Sequence, residues 1–83
     1  MHLTVLTPDR EYFNGQIKGV VVPGLKGRFE VLENHAPIIS SLQQGEVNII
    51  PVAGDRLKFR ISNGFIEVLN NEVALLVNGL NDE

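Results

Sequence analysis

The chain has 83 residues, a formal net charge of −3 and 43% hydrophobic residues, which is the composition of one folded domain and not of a disordered chain. With a pI of about 5.3 and no run of Lys or Arg, it is a poor partner for nucleic acid. It has no cysteine, which excludes disulfides, thiolate nucleophiles and Cys-based zinc sites and fits a reducing compartment.

The opening "MHLTVLTPDR" has no long apolar core, so no signal peptide is expected. The longest apolar run, residues 73–77, is far too short to span a membrane. Turn signals then recur along the chain at Pro8-Asp9, Asn14-Gly15, Pro23-Gly24, Gly45, Ala53-Gly54-Asp55, Asn63-Gly64 and Asn70-Asn71. Between them lie short runs rich in Val, Ile and Phe, which is the pattern of an all-β sandwich or barrel. Strands are predicted near 3–7, 10–13, 16–22, 27–32, 46–51, 55–62, 64–69 and 72–78. The piece 34–44 is expected to hold one helical turn at most.

The C-terminal half carries a predicted register. Leu57, Phe59 and Ile61 alternate with Lys58, Arg60 and Ser62. A two-residue turn at Asn63-Gly64 places Ile61 opposite Ile66, Arg60 opposite Glu67 and Phe59 opposite Val68. A second turn at Asn70-Asn71 places Leu69 opposite Glu72, Val68 opposite Val73 and Phe65 opposite Leu76. Both turns then put Leu57, Phe59, Ile61, Ile66, Val68, Val73, Leu75 and Val77 on one face, the expected core. Phe65, Leu69 and Leu76 fall on the other face, which a two-layer sandwich normally leaves polar. Successive Val20, Val21 and Val22 cannot all point inward either. Scattered surface apolars are ordinary; a contiguous set instead marks a surface that a partner covers.

The search for chemistry is short. "GLKGRF" lacks the spacing and the Lys-Ser/Thr end of a phosphate loop, and there is no G-x-S-x-G or H-x-x-x-H. His35 with Ser40 and Ser41 is no more than a chance proximity in sequence, since a triad is defined by geometry. His2 and His35 gather no acidic cluster, so neither reads as a metal ligand. Asp9, Arg10 and Glu11 read as a solvated turn, and Glu30 and Glu33 as carboxylates that stay in water. No cofactor is expected, and the chain reads as a non-catalytic interaction module.

The stretch "VPGLKGRFEVLENHAPII", residues 22–39, decides with what. Thr7-Pro8, Phe13 and Gly15, Val20, Pro23-Gly24, Gly27, Phe29, Val31-Leu32, His35-Ala36-Pro37, Leu42 and Gly45 occur in an ordered set, followed by "ISNGFIEVLNNEVALLV". This set resembles the N-terminal β-sandwich domain of the epsilon subunit of F-type ATP synthases, called delta in mitochondria, across residues 3 to 78. The resemblance implies a flattened two-layer β-sandwich of about ten short strands. It implies a single epsilon-type N-terminal domain over residues 1–83; most bacterial relatives continue into a C-terminal helical hairpin that in some members binds ATP and inhibits the enzyme, and this chain is expected to depart from them in lacking it. It also implies a rotor subunit on the central stalk, one copy per complex and not a homo-oligomer, bound to the gamma subunit and to the polar loops of the c-ring. Such a subunit is peripheral to the membrane through the complex, on the cytoplasmic face of a bacterial inner membrane, and couples proton flow to ATP synthesis.

Residue by residue, the resemblance assigns Arg28, Glu33, Asn34, His35, Ala36 and Pro37 to a loop facing the c-ring. It assigns Ile38, Ser40 and Leu42 to gamma binding, and the apolar second face adds Phe65, Leu69 and Leu76. Pro37 fixes its own φ and drives Ala36 extended, so this loop is expected to be rigid. Arg28 departs from the family, where many relatives carry an acid. An unrelated carbohydrate-binding sandwich is the alternative, but its aromatic platforms are missing: there is no Trp, and Tyr12 is the one Tyr.

Overall fold

Alternation of apolar and polar residues builds this chain as strands, one after another. The computed structural model describes residues 1–82. Its strands are His2–Leu6 (β1), Glu11–Gly24 (β2), Gly27–Leu32 (β3), Ile38–Leu42 (β4), Gly45–Pro51 (β5), Leu57–Ile61 (β6), Asn63–Leu69 (β7) and Glu72–Asn78 (β8). The described residues contain no helix. The all-β expectation therefore holds, with eight strands in place of about ten.

Two hydrogen-bonded layers share β2. The first half of β2 pairs with β1, and that layer continues through β8 and β7 to β4. The second half pairs with β3 on one side and β5 on the other, and β6 follows β5. The register of β2 against β5 shifts between Ile17 and Gly19. An extra residue of this kind bends a strand, and here the bend lies where β2 leaves one layer for the other. The layers meet again at a single pairing, Gly24 with Leu42. The body measures 28 × 28 × 20 Å, flattened as expected.

One core lies between the layers. Leu3, Val5, Ile66 and Leu75 reach it from the first layer, and Val20, Val31, Ile49 and Phe59 from the second. Burying each such side chain is worth about 1.5–3 kcal/mol, which is what holds a domain this small. Tyr12 closes the core at its margin. Its ring packs edge-on against Phe59 at 5.1 Å, and its hydroxyl donates to Asp82 Oδ2 at 3.3 Å. Partial burial, and then the charge and hydrogen bond of Asp82, hold the phenol above its ordinary pKa; Arg10 over the ring pulls weakly the other way.

The predicted hairpin at Asn70-Asn71 is present with its predicted register: Leu69 opposes Glu72, Val68 opposes Val73 and Phe65 opposes Leu76. Asn70 and Asn71 have φ of 50° and 61°, which a two-residue hairpin turn requires at both central positions. The predicted hairpin at Asn63-Gly64 is not present. β6 pairs with β5, and β7 lies between β4 and β8, so Arg60 faces Glu46 and not Glu67. Neither Asn63 nor Gly64 has a positive φ. Gly64 is there for a different reason: a Cβ at this position would come within 2.5 Å of the Leu76 carbonyl oxygen. The glycine permits close strand approach.

Three further expectations are corrected. Residues 38–42 form β4 where a helical turn was the most expected, because β7 offers them a ladder. Asn14-Gly15 is interior to β2, paired with Thr4 and Leu3. The first hairpin turns at Leu25-Lys26, with Gly24 paired to Gly27 at φ 128°, just beyond the Pro23-Gly24 signal. Of the predicted core face, Leu57 alone is exposed, because it stands at the open start of β6.

Candidate interaction faces

A strand that buries alternate residues presents the others outward, so each layer has an outer face. In the first layer Ser41, Phe65, Leu76 and Leu6 are successive partners across β4, β7, β8 and β1. The neighbouring row is Ile39, Glu67, Ala74 and Thr4. Leu69 stands one row further, opposite Glu72. Ile39 is 74% exposed and Phe65 56%, and Leu6, Leu69 and Leu76 are exposed as well. These side chains are neighbours by register, so they form one apolar surface with a polar margin. His2 belongs to that margin: its Nε2 lies 2.6 Å from Asn14 Oδ1 and its Nδ1 3.4 Å from Glu72 Oε2.

The outer face of the second layer is different. Its rows are Arg28, Pro23, then Glu46 and Arg60; beside them Glu30, Val21, Asn48 and Lys58; and then Leu32, Gly19 and Ile50, with Leu32 exposed. Charged and amide side chains make up most of it. Arg28 Nη1 donates to the Glu46 backbone carbonyl at 2.5 Å.

A third candidate is the loop from β3 to β4. Asn34 sits there at φ 65°, and the His35 N–H donates to the Leu32 carbonyl at 3.1 Å. The loop is clasped to the β7–β8 turn. The Asn34 backbone N–H donates to Asn71 Oδ1 at 2.7 Å, and Asn71 Nδ2 donates back to Asn34 Oδ1 at 3.0 Å. The terminal amine of Met1 lies 3.0 Å from Glu33 Oε1. His35 Nδ1 donates to the Ala36 carbonyl at 2.7 Å, which sets the ring's tautomer while that bond is made. The result is an ordered polar tip, with Asn34, Ala36 and Pro37 exposed.

Against this geometry the predicted residues separate. Glu33, Asn34, His35, Ala36 and Pro37 come together in the clasped loop. Arg28 does not join them. It lies near the other end of β3, about 13 Å along the strand from Leu32, on the charged face. Phe65, Leu69 and Leu76 share the apolar face. Ile38 and Ser40 are half-buried on β4, and Leu42 is 3% exposed in the core, so its side chain is withdrawn from any partner. Ile39 and Leu6 also belong on the apolar face, beyond the residues expected from the sequence. For Leu6 the signal is its place one residue beyond the buried Val5 of β1; Ile39 carries no such signal, because Ile-Ile-Ser-Ser-Leu does not alternate. Local sequence marks Asn71 only as a turn residue; its clasp to Asn34 spans 37 positions and leaves no local trace.

The family model described as "ATP synthase, Delta/Epsilon chain, beta-sandwich domain" matches residues 1–81. The chain belongs to this ATP synthase delta/epsilon family. It is 37% identical over 76 residues to the ATP synthase epsilon chain of Clostridium kluyveri, covering 92% of this chain and 58% of that one. It is 39% identical over 74 residues to the epsilon chain of Chlorobaculum tepidum, covering 89% and 84%. The chain thus spans little more than half of the first relative and most of the second. A chain from the structure of the Tetrahymena thermophila mitochondrial ATP synthase central stalk and c-ring superimposes with a TM-score of 0.85 at 20% identity, covering 99% of this chain and 66% of that one. At that identity the likeness concerns the fold alone. The family sandwich thus supplies the frame on which the apolar face and the clasped loop are mounted.

Proposed function

We propose that this chain is a non-catalytic rotor subunit of the central stalk of an F-type ATP synthase, coupling proton flow through the membrane sector to ATP synthesis. Its apolar outer face grips the gamma subunit, and its clasped loop at residues 33–37 meets the polar loops of the c-ring. The complex then sits on the cytoplasmic face of a bacterial inner membrane. The observation that carries this reading is the contiguous row Phe65, Leu76 and Leu6 with Ile39 and Leu69 beside it, on the solvent side of a layer that is already fully packed inside. Folding alone does not ask for these side chains to be apolar, whereas a partner face does. The loop suits a junction under load because its clasp orders it before contact. Polar groups there set register and encounter more than affinity.

The test is co-expression with the cognate gamma subunit, with sizing and calorimetry of the product. A one-to-one complex is expected, and Phe65→Glu should abolish it while the variant keeps its circular dichroism and melting profile. A folded chain that forms no complex with gamma overturns the proposal. A Glu33→Lys, His35→Ala double variant should leave gamma binding intact and weaken retention of the gamma complex on isolated c-rings.

A further inference from the structure

The sandwich leaves several strand edges, and they are not equally defended. An edge offers unpaired N–H and C=O groups at strand spacing, and natural proteins blunt it with charge, Pro, bulges or cover. β3 pairs only with β2 among the described residues, and it carries exposed Arg28 and Glu30. β6 carries Lys58 and Arg60, and the C-terminal segment covers it. Arg60 and Asn81 exchange two backbone hydrogen bonds at 2.8 and 2.9 Å, and Ser62 N–H donates to the Asn78 carbonyl. The first half of β2 starts at Glu11 and bends away into the second layer. β4 is the exception. It reads Ile-Ile-Ser-Ser-Leu, with no charge, and the nearby Pro37 stands outside the strand. Among the described residues its far side pairs with β2 only where Leu42 meets Gly24, so Ile38 to Ser41 lie along an open seam. Across that seam stand Leu25, Lys26, Arg28 and Phe29 of the first hairpin, which line a shallow hollow with Ile39 and Ser41.

We infer that the free edge of β4 is a strand-addition site, and that its occupant is an extended segment of the stalk partner, which hydrogen-bonds along residues 38–41. The chemistry names the class of occupant: a row of backbone donors and acceptors is matched along its length by another extended backbone. Continuity names the owner. Ile39, the most exposed large apolar side chain, stands on β4 and is also part of the apolar outer face, so one partner covers both. This inference rests on the gamma reading and adds to it the manner of contact, backbone pairing and not side-chain packing alone.

The experiment is amide hydrogen exchange on the chain alone and on its complex with the cognate gamma subunit, with the mass of each sample checked by light scattering. Exchange in residues 38–42 should slow at least about tenfold on complex formation, beyond the protection that β7 already gives. Ile39→Lys, which places a charge on the edge, should weaken binding and shift the protection out of β4. If the complex forms and β4 exchanges as before, strand addition is overturned while the gamma reading stands. If no complex forms, both fall. If the chain alone is a dimer with β4 protected, the occupant is a second copy, and the inference as stated is overturned.

Discussion

The two outer faces of the sandwich are built by the same rule and come out with opposite character. Both layers send alternate side chains into one core. The first layer turns Leu6, Ile39, Phe65, Leu69 and Leu76 outward, and the second turns mostly charge outward, Arg28, Glu30, Glu46, Lys58 and Arg60, with Leu32 at its end. Every Lys and Arg of the chain except Arg10 lies on or beside the second layer, at Lys18, Lys26, Arg28, Arg56, Lys58 and Arg60. Folding constrains only the inner half of each strand's pattern. The outer half is free to record what the face meets: water for the charged face and, in the function we propose, protein for the apolar one.

The sharpest break in this comparison is between inside and outside on a single strand. Leu42→Glu should unfold the domain, at a cost of about 4 kcal/mol or more, because it buries a charge without a partner. Ser41→Glu, one residue away and exposed, should change stability by about 0.5 kcal/mol or less. Thermal melts of the two variants check this directly. Between the two faces, Leu76→Glu should weaken gamma binding by about 30-fold or more, a loss of about 2 kcal/mol, with the melt unchanged. Lys58→Glu on the other layer should leave that affinity within about twofold. Equal losses from both variants would mean that the faces do not divide the labour as described.

A smaller effect concerns the loop. Asn34→Gly and Asn71→Gly preserve the positive φ at both positions and remove the clasp. Each should cost about 1 kcal/mol, and a double-mutant cycle should show that most of the loss is shared. Independent, fully additive effects would show that the clasp does not hold. The smallest effect is at the core margin. Tyr12 should ionise above its ordinary value near 10, followed by phenolate absorbance, and Asp82→Asn should bring the midpoint down. Because the folded pKa is the higher one, this contribution to stability is complete below the unfolded pKa and is lost as pH rises through the folded one.

How much of this was legible in the sequence depended on how local the cause was. The Asn70-Asn71 turn is decided by two residues that accept positive φ, so the register of β7 against β8 followed from the text alone. Asn63-Gly64 looked like the same signal, but there the glycine answers to the Leu76 carbonyl on a neighbouring strand. Nothing within a few residues of Gly64 reports that. β4 is not legible in the sequence because five residues with two serines carry little pattern, and the partner that makes them a strand begins 21 residues after Leu42. The residue types of the loop at 33–37 were plain, and the grouping with Arg28 failed because β3 is extended and carries Arg28 away.

The single strand β2 has a mechanical consequence. Two stacked sheets held only by side-chain contact can slide past one another when pushed from one side. Here a 14-residue backbone runs through both, fastened to β1 before the bend and to β3 and β5 after it. A sideways load on one sheet therefore passes to the other along covalent bonds and short ladders. If the domain is pushed at its tip and gripped on one flank, as we propose, one uninterrupted strand supplies the stiffness in shear that this requires.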